Sequence, residues 1–378
     1  MLEVDAATVL LPVAEAGGFR TVTTTVLDLG RGRLFRGRRR LVVGLRFGVL
    51  LLRGQALAYH LWGSIEAERL IRTPMIGKLE SPEGARQNDG IAPVFALPGW
   101  SILSLTGTDA LAFAQAQLMN DLTRLADGQW QWNGWLNPKG RVIALCIALR
   151  RDAESLWLLL PDMPAEELAD GLRRYVFRSK VVLAPLPDWQ AAGRITVTCE
   201  VTECAIREGS DGALTLPLGP LDDSRISWRQ LLLLPPGADA VMTDMESWSR
   251  WLLADLRAGL PRLDEQQREQ FTPQMLALDR LRAYSVKKGC YPGQEVVSRT
   301  HYLGKAKRRL QRFRMPAGTD VKPGVAISNE NGEPLSTLLN VVECDGHSEA
   351  LAILDESASA YFRGQQLERL PLLDLLPT

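Results

Sequence analysis

The chain has 378 residues, 46% hydrophobic and 23% charged, with 44 basic and 44 acidic side chains. That length supports two or three separate cores, and a formal net charge of zero excludes a global field that gathers nucleic acid or an anionic membrane surface. The cysteines are Cys146, Cys199, Cys204, Cys290 and Cys344, with no CxxC pair, which argues for a reducing, cytoplasmic setting and against a disulfide scaffold or zinc ribbon. With only His60, His301 and His347 besides, no metal site is predicted.

Residues 1–74 stand apart: they hold eleven arginines, six acids and no lysine. Arginines interrupt the apolar run that follows "RGRRR", and the run starts forty residues in, so it is neither an export signal nor a membrane span. Two readings stand for residues 1–85: a poorly ordered arginine-rich extension that does not carry the function, or a start assigned too early, with Met75 as the true beginning.

From Trp100 the pattern becomes regular. "WSILSLTG" reads as a strand, and "TDALAFAQAQLMNDLTRL" as a helix with Thr108 as N-cap and Leu111, Ala114 and Leu118 on one face. "QWQWNGWLNPKGRVIALCIAL" reads as a hairpin turning at Asn-Pro-Lys-Gly, with Cys146 a buried small hydrophobe in its second arm. "SLWLLLP" gives a third strand. Asp162 and Pro164 open an amphipathic helix, "PAEELADGLRRYVF", with Leu168, Leu172, Tyr175 and Val176 as its buried stripe. "RSKVVLAPL" is another strand, and more are expected at 194–202, 213–218 and 226–234. The helix "MESWSRWLLADLRAG" starts after Asp244 and stops at Gly259. Hairpins without βαβ alternation favour an α+β class for residues 86–303. Short strands split by Gly, Pro and Asn suggest a small antiparallel β-barrel for residues 304–378. Its "KAKRR" run lacks interleaved aromatics, so no direct nucleic-acid partner is expected.

Three stretches could carry chemistry. In "KKGCYPGQE", Pro292 suits a first helical position, which sets Cys290 just before a helix N-terminus, with Lys287 and Lys288 close in sequence. Those conditions raise a thiolate fraction, but a cysteine buried in a glycine-flanked turn is an equally good reading of the residues alone. Gly289 and Gly293 permit close backbone approach, and Gln294 and Glu295 fall in the first helical turn. In "QLMNDL", Asn120 and Asp121 either bind a polar ligand or end the helix. In "YVFRSKV", Arg178 and Lys180 sit at a helix-to-strand junction, where they either complement the helix dipole or hold a carboxylate such as a glutamyl group.

Taken together, "QLMNDL", "LNPKGR", "FRSKV" and above all "KGCYPGQE" resemble the YgfZ-type folate-binding proteins, which are similar in fold to the aminomethyltransferase (T-protein) of the glycine cleavage system. The resemblance covers about residues 95–370. It implies a multi-domain ring of α+β structure around a central cavity for tetrahydrofolate, with the C-terminal barrel attached. It also implies a role in assembling or repairing iron–sulfur clusters in client enzymes, tRNA-modifying ones among them, in company with assembly factors and away from membranes. Carried onto this chain, Cys290 and Lys288 are the reactive pair, and Asn120, Asp121, Arg178, Lys180, Tyr291, Gly293, Gln294 and Glu295 are the candidate cofactor-binding set. T-protein carries an acidic pair after the corresponding hairpin; here those positions are Ala144 and Leu145, which neither exchange protons nor hold a cationic amine. A folate-dependent one-carbon transferase or demethylase is therefore the rival reading.

Overall fold

The computed structural model describes residues 5–15, 18–28, 92–197, 204–304, 306–344 and 346–374. The chain divides into two units, Met1–Gln87 and Asn88–Thr378. In the first, β1 (Asp5–Glu15) and β2 (Gly18–Asp28) pair antiparallel, Asp5 opposite Asp28 and Glu15 opposite Gly18; the β-branched run "TVTTTV" suits a pleated strand. The arginine-rich segment, His60, Met75 and Cys199 lie outside the described residues.

The second unit begins with β3 (Val94–Ala96), β4 (Ser101–Thr106), α1 (Ala110–Gln117), β5 (Trp130–Leu136), β6 (Val142–Asp152), β7 (Ser155–Leu160) and α2 (Ala165–Arg173). It continues through β8 (Val182–Pro185), β9 (Gln190–Thr196), β10 (Arg207–Glu208), β11 (Leu214–Pro220), β12 (Trp228–Leu234) and α3 (Met245–Ala258). After α4 (Gln294–Leu303) come β13 (Arg308–Met315), β14 (Ala326–Ser328), β15 (Pro334–Cys344), β16 (His347–Asp355), β17 (Tyr361–Phe362), β18 (Gln365–Gln366) and β19 (Glu368–Leu370). Three antiparallel sheets result: β5-β6-β7-β4-β8, β10-β11-β12-β9-β3, and a seven-stranded, barrel-like β18-β17-β14-β15-β16-β13-β19. This mixed architecture agrees with the α+β reading.

The hairpin forms where the sequence places it. Gly140 donates to the Asn137 carbonyl at 2.9 Å and takes φ +68°, while the Asn137 side chain accepts from the Lys139 and Arg141 amides. β6 is apolar from Val142 to Leu149 because both of its faces are covered there. Val142, Leu145, Ile147 and Leu149 join the largest core, whereas Ala144, Cys146 and Ala148 join the core under α1 and α2. Cys146 is 1% exposed, and burial pushes its thiol up to about 12, as expected for an inert core residue. Ala144 and Leu145 are both buried, one on each face of the strand.

Two helices are shorter than their periodicity predicts. The expected helix through Leu125 ends at Gln117, because Leu118 turns extended and bridges Trp135 while the Met119 amide donates to Gly134. Strand pairing offers those backbone groups a partner that propensity does not anticipate. The N-cap position is Asp109 instead of Thr108, and the Asp109 carboxylate accepts from the Lys180 amide at 2.7 Å. α2 likewise stops at Arg173, leaving Tyr175 37% exposed instead of buried, with Phe177 in the left-handed region at φ +37°. Asp162 does not cap α2; its carboxylate accepts the Leu263 amide at 2.6 Å, and burial raises its pKa to about 6. β9 begins at Gln190, earlier than the expected 194–202 strand, whose end lies outside the described residues.

α3 matches its signals at both ends. The Asp244 carboxylate accepts from the Glu246 and Ser247 amides, and Gly259 closes the helix at φ +72°. Two buried ion networks tie α3 to its neighbours. Asp255 joins Arg229 of β12 at 2.5 Å and Arg262 at 2.9 Å. Arg257 meets Glu349 of β16 at 2.7 Å, and Glu349 also holds Arg312 of β13 at 2.7 Å.

Candidate functional site

Ser285 organises the "KKGCYPGQE" loop. Its amide donates to the Met119 carbonyl at 3.0 Å, its hydroxyl accepts from the Lys287 and Lys288 amides, and its carbonyl accepts the Tyr291 hydroxyl at 3.1 Å. Gln294 closes the loop by donating from Nε2 to the Lys288 carbonyl at 3.0 Å. Tyr291 is 6% exposed, and burial raises its phenol well above the usual range.

Lys288 turns inward. Its ammonium donates to the carbonyls of Gln115, Leu118 and Asn120 at 2.5, 2.6 and 3.0 Å, and lies 5.1 Å from the Tyr291 ring centroid. Three N–H groups thus meet three backbone acceptors at the buried C-terminal end of α1, where orphan carbonyls collect. Burial brings the Lys288 pKa down to about 8, with the Asp121 charge working against it. Of the two lysines in the loop, the exposed one is Lys287.

"QLMNDL" lies on the receiving side. Asn120 donates from Nδ2 to the Trp132 and Arg282 carbonyls at 2.9 and 2.7 Å, and its Oδ1 accepts the Asp121 amide at 2.9 Å. Asp121 accepts from Thr123 and Gln115, and its pKa is lowered chiefly by the Thr123 hydroxyl. Both residues brace the turn that follows α1.

"LNPKGR" docks on the other side of the loop. Gly293 adopts φ +78°, and a Cβ there would fall 2.6 Å from the Asn137 oxygen and from the Gly140 Cα. Gly140 is crowded in return: a Cβ there would sit 2.8 Å from Val296 Cβ. Because Gly293 is the cap residue, α4 starts at Gln294, and Pro292 precedes the helix instead of opening it. Cys290 therefore lies four residues ahead of α4 and is exposed, as is Glu295 in the first helical turn. A cysteine buried in the turn, the bland alternative, is not what the structure contains.

"FRSKV" is held at the far end of α1, where the Lys180 amide meets Asp109. Eight residues of helix separate the two ends by about 12 Å. Arg178 and Lys180 are exposed there beside Phe177, itself 88% exposed. The structure thus brings three of the four stretches into direct contact and sets the fourth one helix length away. Sequence reading missed Ser285, Gln115 and Asn133; the Asn133 carboxamide oxygen accepts the Asn120 and Gly134 amides at 2.8 and 2.9 Å. A serine three positions before Lys288 was the available signal.

No protein-family model matches the chain. A protein of Haemophilus influenzae, described as an uncharacterized protein, is 30% identical over 255 residues, which span 66% of this chain and 85% of that one. The chain belongs to the family of that Haemophilus protein. Among solved structures, the glycine cleavage system aminomethyltransferase T of Bartonella henselae superposes with a TM-score of 0.58 at 15% identity, covering 76% of this chain and 87% of that chain. This member of the Haemophilus protein's family therefore has a T-protein-like fold. Among its described residues no helix is long and apolar enough to cross a membrane.

Proposed function

We propose that the protein is a YgfZ-type, tetrahydrofolate-binding accessory protein for assembly or repair of iron–sulfur clusters in client enzymes, including tRNA-modifying ones, acting through the Cys290 thiol. The observation that carries this reading is the loop's construction. Ser285, Lys288, Tyr291, Gln294 and Gly293 are all committed to holding it, and its one thiol faces outward. Cys290 is the exposed cysteine among the described residues, so those residues offer one fully exposed thiol, not the four thiolates that a resident cluster needs. A transient thiolate contact to the iron of a client's cluster, with the thiol proton leaving to solvent, is the chemistry that fits.

The nominated residues fit folate in part. Arg178 and Lys180 present exposed cations suited to a glutamyl carboxylate. Asn120, Tyr291 and Gln294 spend their donors inside the protein and fit a role in shaping the loop. A T-protein-like ring and central cavity remain part of this proposal. The buried apolar pair Ala144 and Leu145 weighs against aminomethyl transfer.

Cys290→Ala, expressed in cells depleted of the native protein, is expected to leave the activity of a four-iron four-sulfur enzyme at the depleted level. Full rescue by this variant would remove the thiol role. In a direct titration, Arg178→Ala is expected to weaken tetrahydrofolate binding by about 10-fold, the loss of one charge-assisted hydrogen bond. An unchanged affinity, or no binding by the parent protein, counts against the folate reading.

A further inference from the structure

A second cluster of chemically capable side chains lies at the end of the β15–β16 hairpin, apart from the Cys290 loop. Cys344, the last residue of β15, pairs directly with His347, the first of β16. Directly opposed residues share a sheet face, and the two-residue period carries that face on to Glu349. The Cys344 Sγ stands 3.5 Å from His347 Nε2 and 3.8 Å from Glu349 Oε1, and all three potential ligand atoms lie within 4.8 Å of one another.

These spacings have a physical meaning. With zinc–sulfur bonds of about 2.3 Å and zinc–nitrogen or zinc–oxygen bonds of about 2.0–2.1 Å, the edges of a tetrahedron from sulfur to its neighbours are about 3.5 Å. The sulfur–nitrogen separation already has that length, and the sulfur–oxygen separation is close to it. We propose that Cys344, His347 and Glu349 form a three-ligand site for one zinc-class divalent cation, with the fourth position left to water or a small ligand. On binding, the cation takes the thiolate and the Cys344 proton leaves to solvent.

The surroundings select the ion. Glu349 is 1% exposed and held from both sides: Arg257 donates to Oε1 at 2.7 and 3.1 Å and Arg312 to Oε2 at 2.7 Å, so a cation on Oε1 shares that oxygen with Arg257. The clamp fixes the carboxylate's orientation in the manner of outer partners at metal centres. Two guanidinium groups also oppose any cation whose affinity rests on charge alone. Magnesium and calcium, which need several oxygen ligands, are excluded by a single carboxylate; thiolate and imidazole favour zinc. Access exists from two directions. Cys344 lines a groove of about 510 Å³ together with Arg257 and Asp222, and His347 lines one of about 570 Å³ together with Asp320 and Lys322.

The test is a cobalt(II) titration of the full chain after treatment with a chelator. One equivalent of cobalt is expected to bind with tetrahedral d–d absorption and a near-ultraviolet thiolate-to-cobalt charge-transfer band, both displaced by zinc. Cys344→Ser should abolish the charge-transfer band, and His347→Asn should weaken cobalt binding at least roughly 10-fold. His347 is only partly buried, so that variant keeps the test open if Cys344→Ser misfolds. Cys290→Ser should leave the spectrum intact, which separates this site from the exposed thiol. A parent protein without the charge-transfer band, a band that survives in Cys344→Ser, or unchanged affinity in His347→Asn overturns the proposal.

Discussion

Gly293→Ala is expected to lower the melting temperature by about 5–15 °C, read by circular dichroism. Two costs combine. The residue sits at φ +78°, where a side chain costs about 1–2 kcal/mol. Its Cβ would also collide, at 2.6 Å, with the backbone of the Asn137–Gly140 turn. The nearest atoms are a carbonyl oxygen and a Cα, so no flexible side chain can swing away, and relief requires parting the loop from the hairpin. The same substitution four residues earlier is the control. A methyl group added at Gly289 would meet nothing within 4 Å, and the backbone there has no positive φ, so Gly289→Ala should stay within about 0.5 kcal/mol of the parent. Equal effects at the two glycines would defeat the argument for a tight contact.

Lys288→Met should cost about 3 kcal/mol in urea unfolding. It removes the three donors that satisfy Gln115, Leu118 and Asn120 while keeping most of the apolar stem. The pH dependence distinguishes this mechanism from a packing defect. Burial holds the folded-state pKa at about 8 against 10.5 for a free lysine. Between these values the unfolded chain binds the extra proton, so the titration-linked part of the lysine's contribution to stability, which comes on top of its hydrogen bonds, rises with pH across that window. It is fully present above 10.5 and is lost as pH falls through 8. The parent should therefore gain on Lys288→Met between pH 8 and pH 10. A constant gap across that range would contradict the assignment.

What the sequence made legible was whatever local chemistry decides. α3 could be bounded at both ends because a carboxylate before it and a glycine after it satisfy the helix's own orphan groups. The Asn137–Gly140 turn was readable for the same reason. The end of α1 was not, since Leu118 leaves the helix to meet Trp135 on a strand still to come. Lys288 was recognised as important but placed beside Cys290, because its real partners are backbone oxygens, which carry no residue signature. Pro292 suggested a helix start that Gly293 takes instead, because contact with Gly140 requires the left-handed conformation there. At the β15–β16 hairpin, Cys344 and His347 were not read as a pair, and the pairing that brings Glu349 to the same face needed the strand register.

The inward lysine also has a consequence for how the protein comes to be made. Leu118 and Lys288 are 170 residues apart, and a ribosome adds about 5–20 residues per second. The carbonyls at the end of α1 thus emerge roughly 10–30 s before their ammonium partner does. During that interval the first sheet can assemble only with a solvated, frayed helix end. The loop that presents Cys290 can close onto α1 only after Lys288 has been made, so the thiol reaches its final setting after the early half of the unit and before the C-terminal barrel strands that follow it.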